Sequence, residues 1–156
     1  MATSELSAEQ QLDLFLARFT PVVEQRARTA LDKMRRRLAG ANELVFDNYN
    51  ALAIGFCPTE KATGIVFSIA LYPRWVSLFF ARGPELDDPL KLLRGSGSQV
   101  RHIVLTNDEI LDSPPVQALI ADGLKHAGMP FDPAHTGRVI IKSIAKRQSP
   151  RRPKTS

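Results

Sequence analysis

Sulfur and imidazole are scarce in this chain. A single cysteine, Cys57, excludes a disulfide framework, a CxxC redox pair and a multi-thiolate zinc site. The three histidines, His102, His126 and His135, form no HxxxH metal pair. No Ser, Cys or paired acid lies close to any of them in the chain, so no nucleophilic constellation is visible. No run approaches about 18 apolar residues. Met1-Ala2-Thr3-Ser4-Glu5 has neither a basic nor an apolar leader region. These absences lead to the expectation of a soluble cytoplasmic protein that is not an enzyme, carries no cofactor and does not enter a membrane.

What is present suits one domain of 156 residues with 44% hydrophobic and 24% charged residues. The net charge of +5 is unevenly spread. Seven of the 21 basic residues, and none of the 16 acids, lie between Arg138 and Ser156. The expected division is therefore a folded unit over residues 1–145 and a basic, disordered tail over residues 146–156. The tail bases Arg147, Arg151 and Arg152 are candidates for binding an anionic partner, whether nucleic acid, phospholipid or an acidic protein face. A second cluster, Arg35-Arg36-Arg37, spreads over about 200° of a helix and cannot face one partner. It reads as a helix C-terminus ahead of Gly40.

Periodicity orders the rest. Ser7 with Gln10 makes a capping box, and Leu12, Phe15, Leu16 and Phe19 follow at helical spacing. Thr20-Pro21 opens a second helix with the stripe Val23, Ala27, Ala30, Leu31, Met34 and Leu38. The period then becomes two, predicting strands at 43–47, 51–57, 64–72 and 75–80 joined as an antiparallel meander. A short helix is expected after Asp88-Pro89, a strand at 101–106, a helical turn boxed by Thr106 and Glu109, a helix after Ser113-Pro114 and an edge strand at 139–141. The expected fold class is α+β, an antiparallel sheet of five to six strands with N- and C-terminal helices on one face.

Three loops carry candidate chemistry. Asp47, Asn48, Tyr49 and Asn50 place a carboxylate, two amides and a phenol on one hairpin tip. Asn and Asp in turns also bond their own backbone. Tyr72, Arg74 and Trp75 set a guanidinium between two aromatics, either a recognition surface or core packing. Together these seven residues form the candidate ligand-binding rim, for a small ligand or a protein. Gly95, Ser96 and Gly97, with Arg101 beside them, form a glycine-rich loop able to cradle an anion, although it lacks P-loop spacing. Glu5, Glu9 and Asp13 recur at spacing four, either a solvated helix face or a row of hard oxygens for Fe²⁺. No metal ligand is assigned.

The runs Asp47-Asn48-Tyr49-Asn50, Tyr72-Pro73-Arg74-Trp75-Val76-Ser77-Leu78-Phe79-Phe80 and Gly95-Ser96-Gly97 leading to Val100-Arg101-His102-Ile103 resemble the YdhG-like bacterial domain-of-unknown-function family. The resemblance extends over most of residues 10–145 and implies a compact α+β fold. One branch of that family is described as frataxin-like, binding iron and delivering it for iron–sulfur cluster assembly through acids on the first helix and first strand. Glu5, Glu9, Asp13, Glu43 and Asp47 are the acids in those places here, while the second helix is basic.

Overall fold

The computed structural model describes residues 5–154. Helix α1 (Ala8–Leu16) starts at the capping box, where Ser7 Oγ accepts from the Gln10 amide and Gln10 Oε1 accepts from the Ser7 amide. Helix α2 (Pro21–Arg37) starts at Thr20, whose side chain accepts from the Val23 amide, with proline at the first position. Both helices bury the stripes their spacing predicted, from Leu12 and Leu16 to Met34. Gly40, at φ +87°, turns the chain into the sheet.

The sheet is formed by β1 (Asn42–Asp47), β2 (Leu52–Cys57), β3 (Phe67–Leu71), β4 (Val76–Phe80), β5 (Arg101–Val104) and β6 (Val139–Ile144). Its order is β5-β4-β3-β2-β1-β6. The first four strands are the expected meander and β5 extends it antiparallel. β6 lies at the far edge, parallel to β1 and six residues long, with a register shift at Val45/Phe46. A parallel neighbour requires a crossover. It runs from β5 through α3 (Pro114–Lys125) and a loop back across the molecule.

One face of the sheet packs on the helices. Val45, Ile54, Ile69, Leu78 and Ile103 stand in a single cross-strand row and join Phe19, Ala27, Met34, Leu119 and Ile120 in one core. Phe67 and Phe80 meet edge to face at 5.6 Å between ring centroids. Burial of each such ring contributes about 1.5–3 kcal/mol. The other face carries Leu44, Phe46, Ala53, Gly55, Ser68, Ala70, Ser77, Phe79, His102 and Val104, by strand alternation. No residue in that set carries a formal charge at neutral pH.

Three expectations need correction. The helix after Asp88-Pro89 does not form. Both Asp88 carboxylate oxygens accept backbone amides, from Leu92 and Leu93, each at 2.9 Å, and Lys91 takes φ +53°. Such local side-chain bonding competes with helical bonding. The turn near residue 109 is a 3₁₀ turn, Ile110–Asp112. Asn107 Oδ1 receives the Glu109 and Ile110 amides there, in place of the Thr106 box. The third concerns residues 146–154, expected to be disordered, which fold back onto the β1–β2 hairpin.

Candidate functional site

Antiparallel pairing places the turns β1–β2 and β3–β4 at the same end of the sheet, since Leu52 on β2 faces Leu71 on β3. Each turn is closed by one backbone bond of 2.9 Å, from the Asn48 amide to Ala51 and from the Tyr72 amide to Trp75. β6 runs parallel to β1 and pairs Ile144 with Asp47, so the C-terminal segment emerges at this end too. The seven rim residues named from the sequence are therefore on one end of the molecule, but they do not share one environment.

Asp47 is buried. Its carboxylate accepts from Arg151 Nη2 at 2.7 Å and from Gln148 Nε2 at 2.9 Å, with Arg18 Nη1 at 3.4 Å. The Asp47 and Arg151 side chains are each 2% exposed. Arg151 also donates to the carbonyls of Asn48 and Tyr49 and lies 5.8 Å over the Phe19 ring. The acid assigned to the ligand rim and the base assigned to anion binding thus neutralise each other. Neither faces solvent. The physical reason is that Arg151 carries five fixed donors and meets a carboxylate and two carbonyls aligned at one hairpin tip.

The remainder of the rim is open. Asn48, Tyr49, Asn50, Arg74 and Trp75 are exposed. Trp75 is 44% exposed, and its ring stacks on Tyr72 with centroids 4.8 Å apart and planes 18° from parallel. By alternation both rings rise from the face of the sheet opposite the helices. Partial burial raises the Tyr72 hydroxyl above its ordinary pKa, keeping the phenol neutral. Arg74, Lys146, Arg147 and Arg152 are exposed, and none has a carboxylate within ion-pair distance among the described residues. Arg152 Nε donates to the Arg18 carbonyl, which anchors its stem.

The glycine-rich loop is occupied by its own arginine. Arg101 Nη1 donates to the carbonyls of Gly97 and Val100, so the guanidinium fills the turn that would cradle an anion. Gly95 takes φ +117°, the backbone requirement that explains it. Ser96 and Gly97 are exposed.

The acidic row is also broken. Glu5 precedes the α1 N-cap, so it shares no helix face with Glu9 and Asp13. Asp13 pairs with Arg28 at 2.9 Å, and Glu9 and Glu43 both pair with Arg35. Among the described residues no group of three or more His, Cys, Asp or Glu gathers as a metal-holding cluster. Cys57 is buried, its Sγ donating to the Lys61 carbonyl at 3.3 Å.

Two features escaped sequence reasoning. Gln148 and Arg18 complete the shell around Asp47, and their only signal is polarity. A cavity of about 180 Å³ lies at the opposite end of the sheet, beside Phe67, Phe80 and Arg82. Comparison with protein families, with curated proteins and with solved structures finds no match for this chain.

Proposed function

We propose that the protein is a non-enzymatic binding module that engages a protein partner through the hairpin end of its sheet. Trp75 is the anchor, stiffened by Tyr72, with Arg74 beside it and Asn48, Tyr49 and Asn50 as a polar rim. The carrying observation is Trp75 standing exposed on a two-residue-tipped turn while stacked on the half-buried Tyr72. Aromatic and arginine side chains of this kind dominate binding energy at protein interfaces. Stacking fixes the indole beforehand and lowers the ordering cost of association. The buried Asp47–Arg151 pair holds the neighbouring tip in one conformation, which leaves its exposed polar groups preset.

The test is capture with the immobilised full chain and with Trp75→Ala, followed by titration of the captured protein. Trp75 is the sole tryptophan. Binding should therefore shift its emission to the blue and should be lost in Trp75→Ala while the thermal transition is retained. A partner that binds both proteins equally would overturn the reading.

A second reading has its own observation. The same end carries four exposed cations, Arg74, Lys146, Arg147 and Arg152, next to a stacking surface. Aromatic platforms beside basic grooves suit single-stranded nucleic acid. Anisotropy of a labelled oligothymidylate should then give a log–log salt slope of about −3 for four phosphates neutralised. Substituting Lys146, Arg147 and Arg152 by Gln should bring that slope near −1, and an unchanged slope removes the tail from this role. Deleting the tail is unsuitable because it would strand Asp47 without Arg151. For the frataxin-like alternative, the acids it needs on α1 and β1 face Arg28, Arg35 and Arg151.

A further inference from the structure

We propose that the cavity at the end of the sheet remote from the hairpin tips binds small amphipathic carboxylates, with the hydrocarbon chain against Ile65, Val66 and Met129 and the carboxylate on Arg82. The cavity, about 180 Å³, lies between the β2–β3 connection, the end of β4 and the C-terminal turn after α3. Its accessible apolar wall is Ile65, Val66 and Met129, and the edge-to-face Phe67–Phe80 pair lies buried beneath it. Arg82 is the one charged residue in its lining.

That guanidinium is uncommitted. Its nearest carboxylate is Glu85, at the 4.0 Å limit of an ion pair, with both side chains about half exposed. Exposed pairs of this kind contribute little. No hydrogen-bond acceptor meets the Arg82 side chain among the described residues. A planar guanidinium matches a carboxylate in bidentate geometry. Gly128 stands at the mouth with an ordinary backbone, since the glycines of positive φ are Gly40 and Gly95. A Cβ at Gly128 would meet only Arg82 Nη2, at 3.7 Å. Glycine here leaves the approach to the cation open.

Charge and shape together set the ligand class. A cation at the mouth of an apolar chamber excludes alkylamines and favours a carboxylate over an uncharged head group. The chamber has room for roughly six water-sized groups, and so for a chain of about six carbons.

The experiment is calorimetric titration of the full chain with butanoate, hexanoate and octanoate, and with hexan-1-ol and hexylamine. Affinity should rise about fourfold for each methylene up to about six carbons and then level off. Hexanoate should bind more tightly than hexan-1-ol, and hexylamine more weakly than either. Arg82→Gln should abolish the preference for hexanoate over hexan-1-ol and keep the dependence on chain length. Gly128→Leu should weaken hexanoate with an unchanged thermal transition. Trp75→Ala should bind hexanoate as the parent does, which separates this site from the hairpin end. Absence of saturable hexanoate binding, affinity independent of chain length, or undiminished carboxylate preference in Arg82→Gln would each overturn the proposal.

Discussion

Arg151 Nη2 sits 2.7 Å from Asp47 Oδ1 across 104 residues of chain, and both side chains are 2% exposed. This pair converts a basic tail into part of the domain. Burying two charges is favourable only when their remaining donors and acceptors are satisfied. Gln148, Arg18 and the Asn48 and Tyr49 carbonyls supply most of that shell, and Arg151 Nε alone is left without a partner.

Removing one member leaves the other charge buried and unpaired. Asp47→Ala and Arg151→Ala should each destabilise the fold by about 3–5 kcal/mol in urea denaturation. The double variant should be less destabilised than the sum of the two. Additive losses would mean the residues act separately.

The stack at Trp75 can be read without a partner. Tyr72→Ala removes one ring of a pair that contributes about 0.5–1.5 kcal/mol beyond its buried area. The fold should survive, while acrylamide quenches Trp75 more efficiently. Unchanged quenching would show that the rings do not shield each other in solution.

His102 lies against Phe79, with ring centroids 5.0 Å apart. Burial, and then the charge of Arg94, lower its pKa below 6.5. The folded state therefore binds fewer protons than the unfolded chain between the two values. Stability from this group is full above about pH 6.5 and falls as pH drops through the folded pKa. Thermal transitions of the parent should decline more between pH 7 and pH 5 than those of His102→Gln.

Gly40 combines φ +87° with a close neighbour, because a Cβ there would overlap the Asp132 carbonyl oxygen. Backbone strain of this kind costs on the order of 1–3 kcal/mol, before the loop at Asp132 is displaced. Gly40→Ala should lower the unfolding free energy from urea denaturation by at least that amount, with faster amide exchange in residues 130–138. A variant as stable as the parent would contradict the packing of that loop.

Local features were legible in the sequence and distant ones were not. The Ser7–Gln10 box and the Thr20-Pro21 start are written within four residues, as is the alternation of β1 to β4, and all appear in the structure. Asp88-Pro89 follows the same grammar as Thr20-Pro21. There, however, the carboxylate captures two amides and the helix is lost. The parallel pairing of β6 with β1 joins residues 96 apart, and nothing in Val139–Ile144 names its neighbour. For the candidate site, Asn48, Tyr49 and Asn50 are exposed on the turn their composition marks, whereas the pattern of Tyr72, Arg74 and Trp75 does not decide between a recognition surface and core packing. The fate of Asp47 did not, because its partner looked like solvated charge.

The docking of β6 and the tail on β1 orders the events of synthesis. β1 is made early, yet its outer edge has no strand beside it until Val139–Ile144 leave the ribosome, and Asp47 has no cation until Arg151 follows. A nascent chain halted before that point exposes an open strand edge and an unneutralised inward-facing carboxylate. Docking of β6 and of Arg151 therefore closes the sheet edge and neutralises the buried acid in one late event.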